Sequence, residues 1–348
     1  MIKRTVEISR EPAYLTVEHE QLLVGRPGQR KSEVPPEARI PFEDLGLLMV
    51  EQRDTTYTQT VLVKLAEYGS VLVVCGRDHL PSGMFLPVSR NVEVLHRLDT
   101  QLHASRPTVK RIWAQLVSAK INAQSENLEP GSIARRKLVS LARGVKSGDP
   151  QNAEAQAAAV YWPALFEGCP QVAFPFRRVA GDVASAPPNH LLDYGYAVFR
   201  AAVARALVSA GLLPAVGLKH ENRSNAFCLA DDLLEPLRPI VDGKVRDLAM
   251  AGTLDVDPTT KASLLELLTL AVDAGGQAGP LQVSLTRFVA SLVHCLKGDQ
   301  KKLLIPRRLK KEALKQKGGG RCGAAEVESS ERGNNSADVL GMPGEPTV

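Results

Sequence analysis

The sequence lacks several features that would each point to a particular class of protein. No stretch of about 18 apolar residues occurs, and the start, "MIKRTVEISREP", has no apolar run behind its positive charges. The cysteines, at positions 75, 169, 228, 295 and 322, are odd in number and have no short paired spacing. We therefore expect no membrane-spanning helix, signal peptide, disulfide framework or zinc cage, and a reducing cytoplasmic location.

Strong net charge is also absent. The 43 Lys and Arg residues exceed the 38 Asp and Glu residues by only five, which permits an acidic partner such as nucleic acid without requiring one. A hydrophobic content of 44% with 23% charged residues is typical of a globular protein. At 348 residues the chain is long enough for two domains of about 100 to 200 residues each.

Hydrophobic periodicity divides the chain into three parts. Residues 1–88 contain short alternating or β-branched runs such as "TVEIS", "AYLTVEHEQLLV" and "SVLVVCG", with one helix, "TQTVLVKLAEYG", closed by Gly69. Residues 89–314 have helical spacing, and residues 315–348 are rich in Gly, Ser, Glu and Asn. The predicted fold class is α+β, with a small N-terminal β-rich domain, a larger all-α catalytic domain and a disordered tail.

Helix boundaries in the second part are marked by capping residues. Ser105, Asp149 and Asp257 each offer an oxygen just ahead of a proline, which predicts three helix starts. Gly148, Gly211 and the pair Gly275 and Gly276 predict helix ends.

Ionisable side chains cluster in "KHENRSNAFCLADDLLEPLRP", residues 219–239. In a helix, Asp231 and Glu235 are four residues apart and Asp232 and Glu235 three apart, so both spacings place carboxylates on one surface. Pro236 should kink or break the helix just beyond Glu235. Repelling carboxylates with apolar neighbours are best tolerated beside a cation, although a solvated helix face explains the same pattern.

Two further side chains could complete a metal site. His220 lies in a loop before this helix, where it is either a metal ligand or a structural or solvated histidine. Glu154 begins the Ala-rich stretch "AEAQAAAVYW", where it either projects into a shared cleft or is an N-terminal glutamate favoured by the helix dipole.

Other clusters have competing interpretations. Cys75, Asp78 and His79 in "CGRDHLPSG" suggest a nucleophile, but a strand followed by a Pro-Gly turn explains them more simply. Two basic groups suit a phosphate backbone, although most charge runs are solvated faces. The first comprises Arg135, Arg136, Lys137, Arg143 and Lys146, and the second Lys301, Lys302, Arg307, Arg308, Lys310 and Lys311.

Residues 189–242, "NHLLDYGYAVFRAAVARALVSAGLLPAVGLKHENRSNAFCLADDLLEPLRPIVD", carry a resemblance to a known family. This stretch resembles the C-terminal domain of the CRISPR-associated spacer-acquisition integrase, CRISPR-associated protein 1, in its type II form. "PFEDLGLLMVE", "KRIWAQLVSAKI" and "AEAQAAAVYW" support the resemblance, which spans about residues 1–309.

The resemblance implies a divalent metal, Mg²⁺ or Mn²⁺, held by Glu154, His220 and Glu235, with Asp231 and Asp232 as indirect contributors. It also implies a homodimer, double-stranded DNA substrates (spacer precursor and repeat), and a complex of four copies with two of CRISPR-associated protein 2. One imidazole with two carboxylates suits these ions, whereas structural zinc usually has thiolates.

The function expected from this resemblance is a DNA integrase and endonuclease. A DNA 3′-hydroxyl would attack a phosphodiester of the repeat, and water in its place would cut DNA. Two alternatives remain open, a non-catalytic DNA-binding scaffold and an unrelated metallohydrolase acting on small molecules.

Overall fold

The computed structural model describes residues 3–28, 35–77, 81–87, 91–179 and 187–309. The predicted tail, Asp78, His79, Lys310 and Lys311 lie outside these residues. The described cysteines, Cys75, Cys169, Cys228 and Cys295, are all buried. None of the described helices combines the length and apolarity needed to cross a membrane.

The described residues of the N-terminal region form two four-stranded sheets, one α-helix and a 3-10 turn, Phe42–Asp44. The first sheet has the order β1-β5-β7-β8, in which β1, β5 and β7 are parallel and β8 is antiparallel. The second has the order β4-β3-β2-β6. The strands are β1 (Arg4–Ile8), β2 (Tyr14–Glu18), β3 (Gln21–Gly25), β4 (Ala38–Pro41), β5 (Leu45–Val50), β6 (Thr56–Tyr57), β7 (Val71–Cys75) and β8 (Pro81–Phe85), and the helix is α1 (Gln59–Glu67).

The three strand runs and the helix named from the sequence are confirmed in this region. Gly69 follows α1 with a φ of 64°, a left-handed conformation that glycine adopts without steric cost. The run that ends at Cys75 is strand β7, which supports the structural interpretation of that cysteine. All six residues of β5 are buried, because this strand lies inside its sheet and is covered on both faces.

The helical region packs around two long helices. It comprises α2 (Val94–Leu102), α3 (Arg106–Glu126), α4 (Ile133–Gly144), α5 (Ala153–Leu165), α6 (Asn189–Ser209), α7 (Cys228–Leu234), α8 (Arg238–Met250), α9 (Pro258–Leu265) and α10 (Leu281–Lys297). Helices α3 and α6 have 21 residues each. A turn of 3-10 helix, Glu235–Leu237, joins α7 to α8, so the chain changes helix type where Pro236 was expected to interrupt it.

The predicted helix boundaries are confirmed in part. Ser105 caps α3, and Asp257 forms a capping box with Thr260 at the start of α9. Helix α5 begins at Ala153, three residues beyond the predicted start after Pro150. Asp149 nevertheless caps it, because its carboxylate accepts hydrogen bonds from the backbone N–H groups of Ala153 and Glu154 at 2.8 and 3.1 Å.

A small sheet within the helical region corrects one predicted helix end. Gly275 and Gly276, with φ of 68° and 87°, form the turn of a hairpin between β9 (Ala271–Ala274) and β10 (Gln277–Pro280). Strand β11 (Arg307–Arg308) completes the sheet in the order β10-β9-β11. The pair therefore marks a β-turn, for which two consecutive positive φ angles are typical.

The first sheet and the helices share one hydrophobic core. Leu47, Met49, Val71 and Val73 belong to the same buried cluster as the helical residues. Polar contacts also join the two regions, since the Tyr194 hydroxyl lies 3.0 Å from Glu7 Oε1 and Lys261 Nζ lies 2.5 Å from Glu51 Oε2. The domain boundary near residue 88 stays a prediction.

The close approach of α6 and α8 depends on Gly195. A Cβ atom at this position would lie 2.4 Å from Val241 Cγ1, so Gly195→Ala is expected to destabilise the protein by about 1 to 3 kcal/mol in chemical denaturation. Gly144→Ala at the end of α4 is the matched control, because its Cβ would meet open space. Equal stabilities of the two variants would show that α6 and α8 are not packed this closely.

Candidate active site

Four separate elements bring the candidate residues together. Lys120 lies on α3, Glu154 in the first turn of α5, His220 in the loop between α6 and α7, and Glu235 at the end of α7. Burial of the apolar faces of these helices fixes the backbone positions of all four residues. The cluster therefore lies between helices of the second region, and the ligand role of Glu154, His220 and Glu235 stays a prediction.

Lys120 is an ammonium bridge between the two glutamates. Its Nζ lies 2.6 Å from Glu154 Oε1 and 2.5 Å from Glu235 Oε2. The side chains of Lys120, Glu154 and Glu235 are 13%, 26% and 7% exposed, so solvent screens these contacts weakly. Two carboxylates from different helices thus flank a single position for a positive charge.

Electrostatic interactions favour the ionised forms of Glu235 and Lys120. Burial opposes ionisation of Glu235, but Arg238 and Lys120 outweigh it and lower the pKa of Glu235 to about 2. Burial likewise opposes the charged form of Lys120, yet the carboxylates of Glu235 and Glu154 raise the pKa of the ammonium above its ordinary value. The site is therefore charged at neutral pH.

A second cationic side chain holds the other oxygen of Glu235. Arg238 Nε donates to Glu235 Oε1 at 3.0 Å, and its guanidinium stacks 4.5 Å from the centre of the Tyr196 ring. The hydroxyl of Tyr196 donates to the buried carboxylate of Asp242, which also accepts a 3.0 Å hydrogen bond from Tyr161. Burial raises the pKa of Asp242 to about 6. This network fixes the orientation of Arg238 and hence of Glu235.

His220 is oriented by Asp232. Its Nδ1 lies 2.6 Å from Asp232 Oδ1, while Asp232 Oδ2 accepts hydrogen bonds from the backbone of Leu218 at 2.5 Å and Lys219 at 3.0 Å. The fully buried Asp232 therefore fixes both the loop and the ring. Because Nδ1 is engaged, Nε2 is the nitrogen available to a ligand, and the ring is 45% exposed.

Trp113 and Gly217 complete the surroundings of His220. The indole of Trp113 meets the imidazole edge to face, with 6.0 Å between the ring centres. A Cβ atom on Gly217 would lie 2.3 Å from the carbonyl oxygen of His220, so this tight loop requires glycine.

Asp231 has a different environment from its neighbour. Arg200 donates to both of its carboxylate oxygens at 2.7 and 2.9 Å, and Asn225 Nδ2 donates to Oδ2 at 2.7 Å. Asp231 thus ties α7 to α6 and to the loop that carries His220. Asp231, Asp232 and Glu235 thus each have their own set of partners, and the indirect roles expected for Asp231 and Asp232 stay predictions.

The His220 contact gives a pH-dependent prediction for the metal-free protein. The hydrogen bond to Asp232, opposed by burial and aided by Glu235 and Glu154, raises the pKa of His220 above 6.5. We expect NMR titration to show a lower His220 pKa in Asp232→Asn. Because a raised histidine pKa stabilises the fold below 6.5, the stability cost of Asp232→Asn should be larger at about pH 5.5 than at about pH 8.

The exposed pair of His103 and Asp99, whose Nδ1 and Oδ1 atoms are 3.0 Å apart, provides the control. Asp99→Asn should leave the His220 titration unchanged. If Asp232→Asn lowered the free energy of unfolding by the same amount at both pH values, this result would contradict the coupling between His220 and Asp232.

The donor set fits a divalent ion, although the ligands are not assembled around one. Among the described residues, no group of three or more His, Cys, Asp or Glu side chains is placed to hold a metal ion. Lys120 explains this, since its ammonium lies where the two carboxylates meet. Glu235 Oε2 is buried and lies 2.5 Å from the Lys120 ammonium, so a metal ion that displaces the ammonium would meet this oxygen. Carboxylate oxygens with one imidazole suit Mg²⁺ or Mn²⁺.

The five basic residues predicted to bind DNA lie on or just after α4. Arg136, Lys137, Arg143 and Lys146 are exposed, whereas Arg135 is half-buried and donates to the carbonyl oxygen of Leu128 at 3.2 Å. Arg136 also donates to the carbonyl oxygen of Gly131 at 2.9 Å. Their DNA-binding role stays a prediction.

Sequence reasoning missed Lys120 and Arg238. Lys120 is the only charged residue between Arg111 and Glu126, within the apolar stretch "IWAQLVSAKINAQS". A lone charge at a buried helical position needs a counter-charge, and this signal could have identified it. Arg238, three residues after Glu235, could have been identified from helical spacing.

The fold and site define an α+β protein with paired carboxylates, a histidine and a lysine in a helical core. A model of the family described as CRISPR associated protein Cas1 matches residues 6–266. A relative from Neisseria meningitidis serogroup C (strain 8013), named CRISPR-associated endonuclease Cas1, is 36% identical over 281 residues, or 80% of this chain and 87% of the relative. The chain therefore belongs to the Cas1 family.

Solved structures share the fold. A casposase bound to integration product aligns with a TM-score of 0.69 and 20% identity, covering 90% of this chain and 98% of the casposase. A Cas6-RT-Cas1–Cas2 complex contains a chain with a TM-score of 0.70 and 17% identity, covering 88% of this chain and 36% of that one. The β-rich region followed by a helical region, expected from the sequence, is confirmed.

Proposed function

We propose that this protein is a divalent-metal-dependent DNA integrase and endonuclease that inserts spacer DNA into a CRISPR repeat array. The observation that carries this proposal is the shared cation position between Glu154 and Glu235, close enough to His220 for both carboxylates to raise the pKa of its imidazole. Family membership, the endonuclease name of the Neisseria relative and the fold shared with a casposase bound to integration product support it.

Each side chain has a defined task in this proposal. Glu154, His220 and Glu235 would hold Mg²⁺ or Mn²⁺, and Asp232 would keep His220 in the correct tautomer. The bound ion would polarise a phosphate oxygen and stabilise charge on the attacking and leaving oxygens. Arg238 would add fixed positive charge that attracts a phosphodiester, and so would the Lys120 ammonium once the metal has displaced it from between the two glutamates.

The reaction is a transesterification at phosphorus. A 3′-hydroxyl of the incoming DNA forms a new phosphodiester bond, and the backbone bond to the leaving 3′ oxygen breaks. Water in place of the hydroxyl gives hydrolysis, so one site would support joining and cutting.

The proposed partners follow from the same assignment. We propose double-stranded DNA as substrate, a homodimer, and a complex of four copies with two of CRISPR-associated protein 2. A solved Cas6-RT-Cas1–Cas2 complex of shared fold supports the partnership with the companion protein. A DNA substrate of this kind implies a cytoplasmic location.

A non-catalytic DNA-binding scaffold is the second candidate. The specific observation in its favour is that Lys120 already neutralises both glutamates, so the fold does not require a metal for this purpose.

Chelation distinguishes the two candidates. We expect EDTA to abolish joining and nicking of duplex DNA, Mn²⁺ to restore both, and DNA binding to persist throughout with its dependence on salt. Joining that survives complete chelation would refute the metal-dependent mechanism. Absence of both activities in Mn²⁺ and Mg²⁺ would favour the scaffold.

A further inference from the structure

A basic groove of about 400 Å³ lies on the side of α3 away from Lys120. It is bounded by α3, by the segment that follows α4 and by residues 302–307. Arg111 and Lys120 are nine positions apart on α3, which at 100° per residue directs them to opposite sides of the helix. The groove is therefore distinct from the candidate active site.

Every charged side chain that lines the groove is positive. Arg111, Lys302 and Arg307 contribute these charges, and no carboxylate is among the described lining residues. Ser147 and Gln115 add polar groups, and small apolar side chains form the floor. An arrangement of cations without acidic partners favours an anionic ligand.

Arg111 supplies a second observation that points to a ligand. Its Nε is buried and has no hydrogen-bond partner among the described residues, while its Nη2 donates to Thr108 Oγ1 at 3.3 Å. A buried guanidinium donor without an acceptor is costly unless a ligand completes it. A phosphate oxygen is an acceptor suited to guanidinium geometry.

The groove joins two basic groups that are far apart in the sequence. Lys146 stands between the lining residues Val145 and Ser147, and Lys301 precedes Lys302. The backbone of Gly148 donates to the carbonyl oxygen of Lys110 at 2.9 Å, which anchors the Lys146 segment on α3. The basic end of α4 and the basic segment near residue 302 therefore form one continuous surface.

We propose that this groove binds the phosphate backbone of DNA away from the reacting phosphodiester. The proposal rests on the proposed function, because it assigns a second contact to the same substrate. About 13 Å of rise along α3 and the width of the helix separate Arg111 from Lys120, so DNA held in the groove is not the strand segment undergoing reaction.

Salt titration of DNA binding tests this proposal. Lys302 and Arg307 are exposed, so the Lys302→Gln/Arg307→Gln variant should fold normally. If each residue neutralises one phosphate, the slope of log K against log salt becomes shallower by about 1.8. Fluorescence anisotropy with a labelled duplex should show this change, and Arg111→Gln should reduce the slope by about 0.9 further.

Arg10→Gln/Arg53→Gln is the matched control, because it removes two exposed positive charges from the N-terminal region. Its slope should equal that of the wild type. Mn²⁺ binding measured by calorimetry should be unchanged in both double variants, which separates the groove from the metal site.

Three results would overturn the proposal. The first is a groove variant whose slope equals the wild-type slope. The second is a control variant whose slope becomes as shallow as that of the groove variant. The third is unchanged DNA binding with lost binding of purified CRISPR-associated protein 2, which would make the groove a protein-docking site. Failure of Mn²⁺ binding by the wild type, with the groove effect intact, would refute the metal mechanism alone.

Discussion

Replacing His220 by alanine is expected to reduce Mn²⁺-dependent joining of DNA by about 10³-fold. The variant loses the imidazole that is proposed to bind the metal together with the two carboxylates, and loss of about 4 kcal/mol of transition-state stabilisation corresponds to this factor. Because the ring is 45% exposed, its removal should leave the fold intact. Joining is measured with a duplex oligonucleotide carrying a free 3′-hydroxyl.

His103→Ala is the matched control, since His103 is also exposed and contacts an aspartate but lies outside the site. At about pH 8, where the coupling of His220 to Asp232 contributes least to stability, the DNA affinity and thermal stability of His220→Ala should match those of His103→Ala. Joining by His220→Ala within about threefold of the wild type would remove His220 from the mechanism.

Replacing Lys120 by methionine is expected to lower the stability of the metal-free protein and to strengthen the binding of Mn²⁺. The substitution leaves Glu154 and Glu235 without their shared ammonium, and breaking a buried ion pair costs about 3 to 5 kcal/mol. Mn²⁺ no longer has to displace Lys120, so it should bind at least about tenfold more tightly, or about 1.4 kcal/mol. Denaturation with and without Mn²⁺ measures both effects.

Lys261→Met is the control, because it also breaks a buried ion pair but does not touch the proposed metal site. The Lys261 side chain is 3% exposed, against 13% for Lys120, and it pairs with Glu51 at 2.5 Å, outside the site. It should lower stability while leaving the Mn²⁺ response at the wild-type value. An Mn²⁺ response of Lys120→Met no greater than that of the wild type would contradict a cation position shared by Lys120 and the metal.

The local elements could be predicted from the sequence because their signals are local. Capping residues marked the starts of α3 and α9, and alternation marked β1 to β3. Gly275 and Gly276 misled the prediction, since a positive φ suits a helix end as well as a hairpin turn. Only the pairing of β9 with β10 and β11, a non-local interaction, decides between these two structures.

The site could be predicted only in part, because helical spacing identifies residues that share a helix face but not the side chains that they contact. Asp231, Asp232 and Glu235 lie close together along α7, yet they contact Arg200, His220 and Lys120 respectively. Those partners come from three other segments, so the contact that each acidic residue makes depends on how the segments pack together. The sequence likewise identifies Lys302 and Arg307 as a basic group but does not show that they share a groove with Arg111, which is far from them in the chain.

The most direct test of the shared cation position is anomalous scattering from Mn²⁺-soaked crystals of the protein. The account predicts a manganese peak bonded to Glu154, His220 and Glu235, with the Lys120 ammonium moved from between the two glutamates. A peak elsewhere, or Lys120 still bridging both carboxylates at saturating Mn²⁺, would contradict it.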